Sequence, residues 1–372
     1  MNRIIVLFFL VLLIFDSKAQ TAESFIHIGI SKGEKGDYIG AIADFNKAIE
    51  LNPTLDKAFY NRGIVKDNLQ DYRGAIADYT SAIILNPNYA EAYYNRGIAK
   101  SKLKDYIGEL TDYNNAIKIN HQFTKAYYNR GLAKYNLQDY RGAVADYTKT
   151  IELNPEYSNA YINRGLAKGS LFEYSGAIVD FTKAIEINPK DAEAYYNRGI
   201  DRYNLQDYSD AIADFNKAIE INPRHANAYI NRGASKKNLE DYRGALADYN
   251  KAIELEPKEA YLPYYNRGIV KYNLQDYRGA IADYNKAIGL NPKYAEAYLN
   301  RGIPKGSLQD YRGAIADFNK AIELNPKFAE AYNNRGVVKF TLKDKNGACL
   351  DWSKAGELGI AEAYNLIKKY CN

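Results

Sequence analysis

The stretch EAYYNRGIAK runs from Glu91 to Lys100, and a near copy, EAYYNRGIDR, runs from Glu193 to Arg202. Its core tripeptide, Asn-Arg-Gly, occurs nine times in the chain of 372 residues. The glycines of the nine copies are 34 residues apart, with one step of 35: Gly63, Gly97, Gly131, Gly165, Gly199, Gly233, Gly268, Gly302 and Gly336. A fixed period of this length is typical of a solenoid built from stacked copies of one unit.

Gly29 lies 34 residues before Gly63 and marks a divergent first copy, so we predict ten repeats within residues 22–362. They start near residues 22, 56, 90, 124, 158, 192, 226, 260, 295 and 329. In the repeat 124–157, two segments each place small and apolar residues on one face of a helix. Asp139 is placed to cap the second helix, and Pro155 ends it because proline has no amide donor and disfavours helix before it.

This pattern resembles the tetratricopeptide repeat (TPR) family, whose hallmarks are an aromatic residue, glycine, alanine, a second aromatic residue, alanine and proline at set places. One repeat carries them as Tyr195, Gly199, Ala211, Phe215, Ala218 and Pro223. The resemblance implies an all-α fold, an α-solenoid of ten helix-turn-helix units. These would form a right-handed superhelix whose first helices line a concave groove. Residues 361–372 are expected to form a C-terminal capping helix.

The N-terminus has the features of a secretory signal peptide at residues 1–19. Arg3 precedes an apolar run of 12 residues, and Ser17 and Ala19 are the small residues that a signal peptidase reads. The run is shorter than the ~20 residues that span a bilayer. We therefore expect cleavage before Gln20 and a secreted or periplasmic protein without stable membrane insertion. The alternative is an uncleaved anchor.

Charge and composition exclude several function classes. The net charge is +5, but basic and acidic residues are interspersed, which argues against nucleic-acid binding. The histidines, His27, His121 and His225, lie in different repeats without metal-ligand spacing, and the glycines follow the repeat rather than a phosphate loop. We expect no enzymatic activity, no cofactor and no metal. Cys349 and Cys371 are expected to form a disulfide in an exported protein, the alternative being two unpaired thiols.

A charged pair recurs where the family usually has apolar residues. Arginine precedes the repeat glycine in nine repeats, and the second helix carries an aspartate in every repeat. A buried charge needs a partner. We therefore predict one ion pair per repeat, as in Arg130 with Asp146 and Arg198 with Asp214, within one repeat or between neighbours. The alternative is an arginine ladder that binds acidic ligands.

An asparagine lies two residues before the repeat glycine and towards the expected groove: Asn61, Asn95, Asn129, Asn163, Asn197, Asn231, Asn266, Asn300 and Asn334. Its amide both donates and accepts, so it can pair with the backbone of an extended peptide. Superhelical TPR proteins use an asparagine ladder at this place for that purpose. Neighbouring tyrosines are expected to add contact area: Tyr94, Tyr128, Tyr196, Tyr265, Tyr135, Tyr203 and Tyr272. The alternative for asparagine is a solvated or locally bonded residue.

These features predict a scaffold that binds an extended peptide or protein segment in the concave groove. The alternative is a structural or assembly protein that acts through its convex face or by end-to-end stacking. Carbohydrate binding and a role as an enzyme subunit are remote options.

Overall fold

The computed structural model describes residues 21–371. The predicted signal peptide, 1–19, lies outside the described residues. Within them the chain forms 21 helices and no strand, which confirms the all-α prediction. The described residues divide between Asn188 and Pro189 into two compact units.

The first unit contains ten helices in five pairs. Its first helices are α1 (21–34), α3 (Asp56–Asn68), α5 (Ala90–Lys102), α7 (Thr124–Asn136) and α9 (Ser158–Ser170). Its second helices are α2 (Tyr38–Leu51), α4 (Tyr72–Leu85), α6 (Tyr106–Ile119), α8 (Tyr140–Leu153) and α10 (Tyr174–Ile187).

The second unit contains five further pairs and one extra helix. Its first helices are α11 (Ala192–Asn204), α13 (Ala226–Asn238), α15 (Tyr261–Asn273), α17 (Ala295–Ser307) and α19 (Ala329–Thr341). Its second helices are α12 (Tyr208–Ile221), α14 (Tyr242–Leu255), α16 (Tyr277–Leu290), α18 (Tyr311–Leu324) and α20 (Lys345–Glu357), and α21 (Ala361–Tyr370) follows them.

The helix ends follow from the repeated turn sequences. Asp139 caps α8, because its side chain accepts a hydrogen bond from the Gly142 amide. The turn before it is tight, since Gln138 adopts a left-handed conformation with φ of 63°. At the other end, Asn154 leaves the helix in an extended conformation before Pro155, as the proline predicts.

The repeat glycine lets the two helices of a pair approach closely. A Cβ added at Gly97 would lie 2.7 Å from the ring of Tyr113, which is buried on the facing helix. Ala99 and Ala116 are fully buried in the same repeat. Each first helix also packs on the second helix of the repeat before it within a unit, so the core is continuous along each unit. None of the described helices is both long and apolar enough to cross a bilayer.

Candidate functional site

First helices lie side by side within each unit. Consecutive first helices contact one another, as α3 does α5 and α17 does α19, whereas no comparable contact joins consecutive second helices in the described chain. The first helices therefore line the closer-packed side of each unit. This side carries the predicted asparagines and tyrosines.

The structure brings each predicted arginine and aspartate together within one repeat. Arg130 donates from Nε and Nη2 to the two carboxylate oxygens of Asp146 at 2.8 and 2.5 Å. Arg198 binds Asp214 in the same way at 2.9 and 2.7 Å. Such bidentate pairs combine strength with a fixed orientation. The spacing of 16 residues from arginine to aspartate is the same in all nine repeats that contain the arginine.

Further contacts hold each arginine inside the fold. Nη1 of Arg130 donates to Asn114 of the preceding repeat at 2.7 Å, and the guanidinium lies 5.4 Å from the ring centre of Tyr127. Lys134 reaches the same Asp146 carboxylate at 2.8 Å. The sequence predicted only the packing of this lysine, not its ion pair. Because these groups satisfy the guanidinium internally, the contacts favour a structural arginine over a ladder for acidic ligands.

The predicted asparagines and tyrosines bind each other between adjacent repeats. Nδ2 of Asn129 donates to the Tyr94 hydroxyl at 3.0 Å. The same bond, at 2.6 to 3.0 Å, joins five pairs: Asn95 to Tyr60, Asn129 to Tyr94, Asn163 to Tyr128, Asn231 to Tyr196 and Asn300 to Tyr265. We call this row the Asn–Tyr ladder. It differs from the expectation that both side chains simply face a ligand.

The ladder tyrosines are packed between repeats. The ring of Tyr94 lies 5.9 Å from Tyr113 of its own repeat and 4.8 Å from Phe123 at the start of the next. Burial raises the pKa of the Tyr94 hydroxyl, and the hydrogen bond from Asn129 opposes this rise. The hydroxyl therefore stays protonated and in place near neutral pH.

The remaining asparagines lack a tyrosine partner. Asn61 donates to the Lys57 carbonyl of its own helix at 2.8 Å. Asn197, Asn266 and Asn334 make no side-chain hydrogen bond within residues 21–371. For Asn334, the residue at the tyrosine position of the preceding repeat is Leu299, which has no hydroxyl.

Three predicted contact tyrosines pack within their own repeats. The rings of Tyr135, Tyr203 and Tyr272 lie 5.2 to 5.5 Å from the tyrosines that begin the following helices. Tyr135 packs against the buried cluster of Ala143, Tyr147 and Ala167. Part of the expected ligand surface is therefore used in packing, and only the remaining edge of each half-buried ring is open.

Two buried carboxylates were not singled out as sites in the sequence. Asp201 is 5% exposed, and its Oδ2 has no hydrogen-bond partner. Burial raises its pKa to about 7. Glu109 is also buried, which raises its pKa, although hydrogen bonds to Ser101 and Tyr113 oppose the rise. The signal that could have found Asp201 is its place in the repeat, where other copies have Ala, Val, Ser or Pro.

The C-terminal helix covers the last pair. Ala363 of α21 is fully buried with Trp352 of α20, and the ring of Tyr370 lies 6.1 Å from that of Trp352. Cys349 and Cys371 form a disulfide with a Cα–Cα distance of 5.8 Å. This bond joins the end of α21 to α20. Among residues 21–371, no group of three or more His, Cys, Asp or Glu side chains is arranged to hold a metal ion.

Comparisons with solved structures find other repeat proteins. MamA is 28% identical over 47% of this chain and 95% of its own, with a TM-score of 0.44. YrrB, described as a TPR protein with an unusual peptide-binding site, is 25% identical over 50% of this chain and 95% of its own, with a TM-score of 0.43. The Cut9–Hcn1 hetero-tetramer of the APC/C matches 96% of this chain and 85% of its own at 15% identity and a TM-score of 0.53, which shows the fold alone.

Family models match most of the described repeats. The model for the tetratricopeptide repeat matches residues 124–157, 192–225 and 226–259. The model for the TPR repeat matches residues 34–66, 68–104, 173–200, 270–303 and 307–343. No curated protein sequence matches the chain. Since the matched segments span more than half of it, the chain belongs to the TPR family, whose repeats indicate a scaffold for protein or peptide partners.

Proposed function

We propose that this chain is an exported scaffold that binds an extended protein segment along its first helices. Export is supported by the signal-peptide features of residues 1–19. Sequencing the N-terminus of the mature protein tests it, because cleavage should leave Gln20 first. Binding along the first helices is supported by the row of asparagine amides there.

The Asn–Tyr ladder orients amides without using all of their hydrogen-bonding capacity. An asparagine amide has two N–H donors and one carbonyl acceptor. In Asn129, Tyr94 takes one donor, so a second N–H and Oδ1 remain. These two groups match the carbonyl and N–H of a peptide backbone. Because the tyrosine already fixes the side chain, binding would lose little rotamer entropy. Backbone pairing of this kind tolerates many sequences.

The second candidate function is assembly through the second helices. Ile39, Ile84, Ile107 and Val179 are 67 to 83% exposed there and favour this candidate. They occur singly in separate repeats, however, and scattered apolar residues are normal on a protein surface. Charged residues nearby pair with each other, as Lys149 does with Glu152 at 2.9 Å. The first-helix side, with its repeated amides, is therefore preferred.

The test uses asparagines whose removal breaks no internal hydrogen bond. The triple variant Asn197→Ala, Asn266→Ala, Asn334→Ala removes three amides of this kind. The control variant Lys149→Ala, Lys217→Ala, Lys251→Ala changes exposed residues of the second helices. Both are screened with wild type against a library of random unstructured peptides.

We expect the asparagine variant to lose peptide binding by roughly tenfold or more, since each lost backbone hydrogen bond contributes about 0.5–1.5 kcal/mol. The lysine control should bind like wild type, and thermal melting should show both variants folded. The opposite result, loss in the lysine control alone, would favour the second candidate. Equal binding by all three proteins would contradict the amide mechanism.

A further inference from the structure

A cavity of 310 Å³ lies between α17 and α19 beside Gly306. We call it the Gly306 pocket. Its walls include Ile303, Phe318 and Val338, and Asn334 contributes an amide. None of the described residues that line it is charged. Asn334 is one of the asparagines without a side-chain hydrogen bond, so an apolar space and an unused amide occur together.

Packing does not require the glycine that opens this pocket. A Cβ added at Gly306 would meet only Val338, at 3.9 Å, which is ordinary contact. By contrast, a Cβ at Gly302 would lie 2.5 Å from the Phe318 ring, so that glycine is needed for close packing. Glycine inside a helix is less stable than alanine. The fold therefore tolerates a less favourable residue at 306 without any gain in packing.

Other repeats fill the equivalent space with their own ring. In the fourth repeat the equivalent residue is Tyr135, and its ring packs beside Leu132, Tyr147 and Ala167 and 5.2 Å from the ring centre of Tyr140. Tyr203 and Tyr272 make the same ring contact in the sixth and eighth repeats. This space thus has the shape and walls of a seat for a phenol ring.

The Gly306 pocket keeps the walls of that seat. Ile303, Tyr311, Phe318 and Val338 stand at the positions of Leu132, Tyr140, Tyr147 and Ala167. The ring itself is missing because residue 306 is glycine.

A polar group also lies where a phenol hydroxyl would end. In the sixth repeat, Nδ2 of Asn238 donates to the Tyr203 hydroxyl at 3.2 Å. The residue equivalent to Asn238 at the Gly306 pocket is Thr341, whose hydroxyl lines the cavity and donates to the Val337 carbonyl. Thr341 can still accept a hydrogen bond. A tyrosine from outside would therefore find an acceptor as well as apolar walls.

We propose that the Gly306 pocket binds an aromatic side chain, tyrosine before phenylalanine, of the protein segment held along the first helices. The proposal rests on the proposed function for the segment, while the ring seat stands on the pocket's own geometry. Asn334 pairs with the backbone beside the aromatic residue, and Tyr311 and Phe318 contact the ring. The partner's ring takes the place that Tyr135 takes within the fourth repeat.

A second cavity supports the role of the glycine. In the first repeat the equivalent residue is Gly33, and a cavity of 270 Å³ opens there against Phe45 and Val65. Asn68 stands at the place of Thr341, but Glu34 also lines this cavity. The uncharged Gly306 pocket is the better seat for a ring.

The test fills the pocket from within. Gly306→Tyr supplies the ring that three other repeats carry, and Gly306→Ala is the matched control that adds only a methyl group. The first probe is p-cresol, the side-chain analogue of tyrosine, followed by the NMR signals of the Val337 and Val338 methyl groups. We expect saturable shifts in wild type and in Gly306→Ala, and their loss in Gly306→Tyr. The absence of shifts in wild type, or shifts that persist in Gly306→Tyr, would overturn the ring seat.

The second probe is the random peptide library. Peptides that bind wild type should be enriched in tyrosine and phenylalanine, and they should bind Gly306→Tyr roughly tenfold more weakly. Peptides that need the asparagines but show neither aromatic enrichment nor sensitivity to Gly306→Tyr would overturn the pocket proposal and leave the proposed function standing. If p-cresol binds the pocket but no peptide depends on the asparagines, the proposed function fails and the ring seat remains.

Discussion

Asp201 is buried in α11 at a place where the other repeats have Ala, Val, Ser or Pro, and its Oδ2 has no hydrogen-bond partner. None of the ion pairs formed within residues 21–371 includes it. Burial raises its pKa from 3.8 to about 7, because the charged form loses its hydration. We therefore predict that replacing Asp201 stabilises the protein at neutral and alkaline pH.

The sign follows from proton binding. Between the two pKa values the folded chain holds a proton that the unfolded chain has released, so the free energy of unfolding falls as pH rises from about 4 to about 7. Below that window both states are protonated and the carboxyl carries no charge penalty. Above it the penalty is complete. A shift of about three pH units at 1.36 kcal/mol each sets a ceiling of about 4 kcal/mol.

The measurement is native-state hydrogen exchange of the α11 amides, which reports local opening in a repeat protein. Asp201→Ala should be more stable than wild type by about 2 to 4 kcal/mol at about pH 8, and the difference should shrink towards about pH 4. Asp201→Asn keeps the shape of the side chain and should lose the same pH dependence. Asp207→Asn, which removes an exposed carboxylate of the same repeat, is the control. A difference between Asp201→Ala and wild type that is constant with pH would refute the reasoning.

Two further predictions concern the charged pairs and the cap. In a double-mutant cycle on Arg130→Leu and Asp146→Leu, the arginine variant alone should cost about 3 kcal/mol or more because it leaves a buried carboxylate short of a partner. The double variant should cost less than the sum, and purely additive free energies of unfolding would contradict a coupled pair. Reducing the disulfide between Cys349 and Cys371, 22 residues apart, should remove about 3 kcal/mol of stabilisation. Amides of α21 should then exchange faster than those of α13, and unchanged exchange would show that packing alone holds the cap.

The helix pairs were predictable because their signals are local and periodic. The caps, the proline stops and the small residues at Gly97 and Ala116 each act over a few residues, and the structure places them as the pattern indicates. The left-handed residue in each turn was not predictable from its type. Gln138 is not a residue that favours φ of 63°, so the two packed helices impose this conformation.

The site was less predictable because its contacts join different repeats. Reasoning from one helix at a time places Asn129 and Tyr94 on open faces of their own helices. The hydrogen bond between them appears only when the two repeats are stacked, 35 residues apart. Arg130 likewise reaches Asn114 of the preceding repeat. The spacing alone left open whether Asp146 is a partner from the same repeat.

The comparison between repeats separates structural from binding positions. An arginine held by its aspartate, a lysine and a neighbouring repeat recurs with nearly constant geometry, so it fixes how repeats stack but cannot distinguish one repeat from another. Variation falls on two other places: the tyrosine that holds the ladder asparagine, and the residue four after the repeat glycine.

Where these two places change together, as at Leu299 and Gly306, the stack keeps its spacing while an amide and an apolar seat become free. A partner reading this surface would meet a uniform backbone-binding row interrupted by a seat for a ring. Position along the row, rather than a new fold, would then set which segment of the partner binds.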